Sequence, residues 1–157
     1  MPNLLILSKV ADQYEQVIRA ENLPDLEVFA YKDEEVDPKI TAKCDIALGE
    51  PARIRKEFYS LKSLRWVQSV WAGVEPLLDA SLRRDYTLTN ARDVFGDLMT
   101  EYIFGYLLAH ERRIFQLRDA QREKYWDGRN NGTLNGKTIG LLGVGSIGAV
   151  VAKTAKH

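Results

Sequence analysis

The sequence of 157 residues contains a single cysteine, Cys44, which excludes an intrachain disulfide bond. Disulfides are rare in reducing compartments, so this scarcity favours a cytoplasmic protein in which Cys44 is a buried structural thiol. Histidine is also scarce, with two residues, and the acidic residues, histidines and cysteine show no metal-ligand spacing. The sequence therefore predicts no metal site.

Neither sign of charge is in excess, because 22 Lys and Arg residues balance 22 Asp and Glu residues. A nucleic-acid binder needs a basic excess to displace counterions from phosphates. Long hydrophobic runs are missing as well, and the N-terminal segment MPNLLILSKV lacks the basic region of a signal peptide. These absences predict a globular protein with no nucleic-acid partner and no membrane association.

What the chain does have is an alternation of strand-like and helix-like segments over its first 90 residues. Pro51 and Pro76 stand at the first turns of two helix-like segments, where proline is tolerated. The predicted strands are 3–7, 26–31, 44–49, 64–70 and 86–90, and the predicted helices are 11–22, 51–61 and 75–84. This alternation predicts an open parallel sheet with helices on both faces.

A different pattern follows a predicted domain boundary near Gly96. Apolar residues recur at spacings of three and four, which predicts one unbroken helix from Asp97 to about Leu117 with Asp97 as its N-cap. His110 lies on the apolar stripe, so it is expected to be a packed core residue rather than a catalytic base. A polar loop, a strand at 138–143 and a helix from Ser146 complete the prediction.

The segment Gly143-Val144-Gly145-Ser146-Ile147-Gly148 has the pattern G-x-G-x-x-G between that strand and that helix. In a dinucleotide site the first glycine permits the tight turn, the second admits the pyrophosphate, and the third lets the helix and strand pack closely. The phosphates would lie at the helix N-terminus, where the Ser146 hydroxyl could also donate. A glycine turn without a ligand and a methyltransferase-type loop are the weaker alternatives.

A second candidate site lies in QSVWAGVEPLL, residues 68–78. Here a predicted strand ends, Ala72-Gly73-Val74 turns, and Pro76 follows. The N–H groups of Gly73 and Val74 would point out of the carboxyl end of the sheet, where open α/β sheets bind ligands. A small carboxylate would gain charge-assisted hydrogen bonds there. From spacing alone, an anion site and a plain glycine turn are equally supported.

These stretches together resemble the D-isomer-specific 2-hydroxyacid dehydrogenase family, most closely its glyoxylate/hydroxypyruvate reductase branch. The resemblance runs from about Cys44 to the end of the chain, and the last block is the most specific. The matching blocks are LRWVQSVWAGVEPLL (64–78), NARDVFGDLMTEYIFGYLLAHER (90–112), Trp126 and LNGKTIGLLGVGSIGAVVAK (134–153). One departure is Asp93, where many members of the family have glycine.

The resemblance implies an α/β fold with a flavodoxin-like substrate domain, residues 1–96, followed by the start of a Rossmann cofactor domain, residues 97–157. It places the substrate carboxylate at Ala72, Gly73 and Val74. It implies that NAD or NADP, with a slight preference for NADP, binds at the glycine loop and Thr100. The implied cofactor residues of that loop are Gly143, Gly145, Ser146, Ile147 and Gly148. Tyr125 and Trp126 lie where the family often contacts a second subunit, so the full-length protein is expected to be a homodimer.

The implied activity is NAD(P)-dependent interconversion of a small 2-keto acid and a D-2-hydroxy acid. The catalytic Arg, Glu and His of the family follow the glycine fingerprint, so the resemblance places no catalytic residue in this chain. We therefore expect the 157 residues to be an inactive N-terminal half. A non-catalytic dinucleotide-binding regulator and a purely structural fragment are the alternatives.

Overall fold

The computed structural model describes residues 1–156 and divides into two compact units, Met1–Ala91 and Arg92–His157. His157, for which no role is predicted, lies outside the described residues. In the first unit the elements are β1 (Asn3–Leu7), α1 (Ala11–Ala20), β2 (Glu27–Tyr31), α2 (Pro38–Lys43), β3 (Ile46–Gly49), α3 (Pro51–Glu57), β4 (Trp66–Ser69), a 3-10 turn (Glu75–Leu77) and β5 (Thr87–Thr89). In the second unit they are α4 (Gly96–Glu111), α5 (Ile114–Arg122) and α6 (Ser146–Thr154). None of these helices combines the length and the apolar character needed to cross a membrane.

The first unit is built on a parallel sheet with the strand order β2-β1-β3-β4-β5. Each adjacent pair is parallel, and Leu4 of β1 aligns with Val28 of β2 and with Ile46 of β3. From β1 the chain first adds β2 on one side and then adds β3, β4 and β5 in turn on the other side. The direction in which strands are added therefore reverses between β1 and β3. This arrangement confirms the predicted parallel α/β fold and is the flavodoxin-like strand order.

Both faces of the sheet carry buried side chains. On one face α1 covers Leu4, Ile6 and Val28. On the other, Leu5, Leu7 and the other members of a larger cluster pack together; these members include Ala47, Ile54, Phe58, Leu61, Leu64, Val67, Leu77 and Leu82. A strand buried on both faces needs consecutive apolar residues, which explains the continuous run in β1. Cys44 is fully buried in the larger cluster, as predicted, and burial raises the pKa of its thiol to about 11.

Two predicted features of the first unit are wrong. The sequence pattern missed α2, which begins at Pro38 because the Asp37 carboxylate accepts a hydrogen bond from the Lys39 N–H at 2.8 Å. Asp followed by Pro is the N-cap and first-turn signal that could have found it. The helix predicted at 75–84 is only a 3-10 turn. It stops because the Asp79 carboxylate accepts the Ser81 N–H at 2.8 Å, a local bond that competes with helix formation.

The second unit is formed mainly by the packing of α4 against α6. Gly96 allows the close approach, since a Cβ atom there would lie 2.8 Å from a methyl carbon of Val150. Val151 is buried, whereas many large apolar side chains of this unit, including Tyr102 and Leu142, are exposed. Asp93, at the start of the unit, has a φ of 60°. The backbone of Asp93 is therefore in the left-handed conformation, which glycine adopts more readily than aspartate.

The single helix predicted from Asp97 to about Leu117 is also wrong. Helix α4 ends at Glu111, Arg113 adopts a left-handed φ of 54°, and α5 starts at Ile114. The Arg113 guanidinium forms an ion pair with the buried Asp127 carboxylate, a long-range contact that stabilises this costly backbone conformation. Asp97 lies in the first turn instead of at the N-cap, which is Phe95. His110, predicted to be packed in the core, is exposed, and the buried residue at this turn of α4 is its neighbour Ala109.

The predicted strand at 138–143 is absent from the described residues, where this segment has no regular secondary structure. A strand is stabilised by hydrogen bonds to a neighbouring strand, and the described residues of the second unit contain no strand that could pair with it. The helix predicted from Ser146 is confirmed as α6. The glycine turn therefore follows an irregular, mostly exposed segment.

The Asp127 carboxylate ties the segment after α5 to the rest of the second unit. Hydrogen bonds from Arg129 and from Arg113 hold the pKa of the Asp127 carboxyl well below its usual range. The pKa of this carboxyl is lower in the folded chain than in the unfolded chain, where it is about 3.9. These contacts therefore stabilise the fold at a pH above the unfolded-state pKa. The stabilisation is lost as the pH falls through the folded-state pKa. We expect Asp127→Asn to lower the melting temperature at neutral pH and to flatten its decline below about pH 4.

Thermal unfolding followed by circular dichroism across this pH range tests the expectation. Asp119→Asn is the matched control, because Asp119 pairs with Arg118 on the exposed surface of α5. Exposed ion pairs contribute little to stability. Identical pH profiles for Asp127→Asn and the unsubstituted chain would show that the Asp127 contacts do not stabilise the unit.

Candidate functional site

The first candidate site is the glycine turn before α6. Gly143 has a φ of 93°, which is open to glycine and strained for other residues. A Cβ atom on Gly148 would overlap the carbonyl oxygen of Gly143 and lie 3.3 Å from its carbonyl carbon. At Gly145 a Cβ atom would meet nothing within 4 Å. Two glycines of the motif are thus needed to form the turn, whereas Gly145 leaves open space beside it.

The N-terminus of α6 presents unpaired donors. Gly145 is the N-cap, and its carbonyl accepts the Ala149 N–H at 2.9 Å. The N–H groups of Ser146, Ile147 and Gly148 have no acceptor among the described residues. Together with the helix dipole, such donors attract anions. A groove of about 460 Å³ lies at this end of the helix, lined by the glycine turn, Ile103 and Val151.

Thr100, the remaining predicted cofactor residue, lies inside α4 and is 6% exposed. Its hydroxyl donates a hydrogen bond to the Gly96 carbonyl oxygen at 2.7 Å. The residues that line the groove at α6 include Ile103 of the same helix but not Thr100. The structure therefore groups the five residues of the glycine turn and leaves Thr100 outside that group.

The second candidate site, in the first unit, is the loop after β4. Ala72 and Gly73 are exposed, and the loop leaves the carboxyl end of a strand that lies between β3 and β5. The N–H groups of Ala72, Gly73 and Val74 have no acceptor among the described residues. The Glu75 carboxylate approaches Gly73, so one negative charge already borders these donors. The loop thus offers an anion three free N–H groups but no cationic side chain from its own residues.

A buried carboxylate at the same edge of the sheet was not predicted from the sequence. Glu50, directly after β3, accepts hydrogen bonds from the Ser8 hydroxyl at 2.8 Å and from the Lys9 N–H at 3.1 Å, and it pairs with Arg53. Burial by itself would raise the pKa of Glu50, but these contacts outweigh it and lower the pKa. Glu50 and Ser8 thus meet where β1 and β3 end side by side, which is the point at which the strand order reverses.

The signal for Glu50 in the sequence is weak. A single charged residue between a predicted strand and Pro51 is typical of a solvated loop. Only the approach of β1, which brings Ser8 and Lys9 to the carboxylate, makes Glu50 a buried acceptor. The described residues also contain no cluster of three or more His, Cys, Asp and Glu side chains that could hold a metal ion.

Fold and site together define a class of protein. The first unit is a parallel α/β sheet with an open, donor-rich loop at its carboxyl edge. The second unit carries a glycine turn that leads into a helix with free N–H groups. This is the combination used for small anionic ligands and for dinucleotides in α/β proteins.

The chain belongs to the D-isomer-specific 2-hydroxyacid dehydrogenase family. A family model described as "D-isomer specific 2-hydroxyacid dehydrogenase, NAD binding domain" matches residues 104–157. A glyoxylate reductase of Pyrococcus horikoshii is 31% identical over 141 residues, which cover 83% of this chain and 40% of that protein. The family expected from the sequence motifs is therefore confirmed.

Two solved structures extend the similarity over the chain. A D-isomer specific 2-hydroxyacid dehydrogenase family protein from Aeromonas salmonicida is 40% identical with a TM-score of 0.93, covering 99% of this chain and 50% of that one. A D-isomer specific 2-hydroxyacid dehydrogenase from Xanthobacter autotrophicus Py2, solved with NADPH and MES, is 26% identical with a TM-score of 0.76. The chain spans about half the length of these solved relatives.

Proposed function

We propose that these residues carry the dinucleotide loop and the substrate-carboxylate loop of an NAD(P)-dependent oxidoreductase. Its reaction interconverts a small 2-keto acid, of the glyoxylate or hydroxypyruvate type, and a D-2-hydroxy acid. The observation that carries the proposal is the glycine turn of this family member, in which Gly143 and Gly148 shape the backbone and Gly145 leaves space beside free N–H groups. We further propose that the 157 residues alone do not catalyse this reaction.

The residues present fit a dinucleotide pyrophosphate. The N–H groups of Ser146, Ile147 and Gly148 would donate to its oxygens, and the absence of a side chain at Gly145 would let the backbone approach it. The Ser146 hydroxyl adds a further donor at the same helix end. When bound, the nicotinamide group of the dinucleotide supplies or accepts the hydride.

The substrate would be held by its carboxylate. The N–H groups of Ala72, Gly73 and Val74 would donate to the two carboxylate oxygens, which are strong acceptors because they are charged. Glu75 is the nearest acidic group to Gly73 and would move away from the bound anion. This loop would bind and orient the acid, and it supplies no proton.

Three finer features belong to the same proposal. The dinucleotide is preferably NADP, the location is cytoplasmic, and the full-length protein is a homodimer. Tyr125 and Trp126, which are 64% and 88% exposed, border an apolar groove along α5. Exposed aromatic side chains of this kind are typical anchors of a subunit interface.

Amide NMR titrations of the isotope-labelled chain test the proposal. NADPH is expected to shift the amide signals of residues 143–148, and glyoxylate those of residues 72–74. Glycolaldehyde is the matched ligand control, because it keeps the aldehyde and lacks the carboxylate. The proposal fails if the responses fall elsewhere on the chain, or if glycolaldehyde and glyoxylate act alike. Oxidation of NADPH by the 157 residues with glyoxylate would refute the absence of turnover.

A further inference from the structure

The loop after β4 is held by hydrogen bonds to its carbonyl oxygens. The Asn90 side-chain amide, just after β5, donates to the Ala72 carbonyl oxygen at 2.6 Å. The Trp71 carbonyl oxygen accepts the Ala91 N–H at 3.2 Å and the Ser69 hydroxyl at 2.8 Å. The carbonyl oxygens of Trp71 and Ala72 are thus occupied by the protein, whereas the N–H groups of residues 72–74 are free.

These bonds determine where the free donors point. The carbonyl of Ala72 and the N–H of Gly73 belong to one planar peptide group, and no peptide bond of the described residues is cis. In a trans peptide the C=O and the N–H point in opposite directions. Fixing the Ala72 oxygen against Asn90 therefore fixes the direction of the Gly73 N–H. In the same way, the two bonds to the Trp71 oxygen orient the Ala72 N–H.

We propose that Asn90 is a positioning residue for the substrate carboxylate, acting through the peptide group between Ala72 and Gly73. This inference rests on the proposed function, which places the carboxylate at this loop. Asn90 itself need not touch the substrate. Donation to the Ala72 oxygen also polarises the peptide group, which makes the Gly73 N–H a stronger donor.

The alternative role for Asn90 is purely structural, and the two roles differ in what they affect. A structural role would change the free energy of unfolding, whereas a positioning role changes the order of the loop and its affinity for a carboxylate. Asn90 is only half-buried, so its substitution is expected to leave the sheet folded. The hydrogen bond of Asn90 spans 18 residues of the chain, and no other side chain among the described residues donates a hydrogen bond to the Ala72 oxygen.

The test uses the full chain with Asn90→Ala, and with Asn90→Asp as a second variant of nearly the same size. Sodium glyoxylate is the probe, followed by the amide signals of Gly73 and Val74. Loss of one orienting hydrogen bond is expected to weaken glyoxylate binding about 5- to 10-fold in Asn90→Ala. Without ligand, the NMR order parameters of residues 72–74 should fall from about 0.85 to below about 0.6. Thermal unfolding should change little.

Asn3→Ala is the matched control. The Asn3 side-chain amide also donates to a backbone carbonyl oxygen, that of Met1 at 3.2 Å, but at the amino end of the sheet. It should leave both glyoxylate affinity and loop order unchanged. Unchanged affinity in both Asn90 variants would overturn the inference while the proposed function stands. If the unsubstituted chain shows no response at Gly73 and Val74, the proposed substrate site fails, and the role of Asn90 fails with it.

Discussion

Gly49→Ala is expected to lower the free energy of unfolding of the first unit by about 3 kcal/mol or more. Gly49 ends β3 beside β1, and a Cβ atom there would overlap the Leu7 carbonyl oxygen and lie 2.8 Å from the Leu7 carbonyl carbon. Both obstacles are backbone atoms of β1, which pairs with strands on both sides and cannot move aside as a side chain can. Urea unfolding of the variant, followed by far-ultraviolet circular dichroism, measures the effect.

Gly105→Ala is the counterpart on a helix. Gly105 lies within α4, and a Cβ atom there would meet nothing within 4 Å. Alanine has the higher helix propensity, so this variant should stabilise the second unit by about 0.5–1 kcal/mol. Replacing glycine by alanine is thus expected to lower the free energy of unfolding at Gly49 and to raise it at Gly105. Equal stability of Gly49→Ala and the unsubstituted chain would mean that β1 and β3 are not as closely spaced as described.

The second large effect is expected at the glycine turn. Substitutions at Gly148 and Gly145 distinguish a residue that shapes the turn from one that leaves room for the ligand. Gly148→Ala places a methyl group against the Gly143 carbonyl, so both the turn and NADPH binding should be lost. At Gly145 a Cβ atom meets only open space, so Gly145→Ala should keep the stability of the chain. It should nevertheless weaken NADPH binding at least about tenfold, because the methyl group occupies the path of the pyrophosphate.

Gly105→Ala is also the control for this pair. Gly105 lies in α4 and does not line the groove at the glycine turn, and a Cβ atom there meets nothing within 4 Å. This variant should keep the NADPH affinity of the unsubstituted chain and should not lose thermal stability. NADPH titrations by amide NMR, combined with melting curves, separate the three results. Full NADPH affinity in Gly145→Ala would exclude a pyrophosphate at this helix end.

The alternation of strands and helices in the first unit could be predicted because each strand has its own local signal. β1 is a continuous apolar run, and α3 begins at Pro51, which is typical of a first helical turn. The glycine motif could be found for a similar reason, since its spacing reflects backbone requirements within six residues. The family followed from these local blocks, and the comparisons confirm it.

The errors arose where a distant partner overrode the local pattern. The periodicity of α4 continues past Glu111, yet Arg113 turns into a left-handed conformation and pairs with Asp127. The segment 138–143 has the composition of a buried strand, but no neighbouring strand among the described residues pairs with it. Local propensity cannot report such contacts, because they join residues far apart in the chain.

The sequence by itself therefore determined the class of fold, the family and the position of the glycine motif, because each depends on short-range patterns. Only the tertiary structure decided the strand order, the burial of Glu50 and the bond from Asn90 to Ala72. Parallel pairing joins strands through crossovers, so the groups that meet at the carboxyl edge of the sheet come from separate parts of the chain. The direction of the free N–H groups of residues 72–74 depends on these contacts between distant parts of the chain.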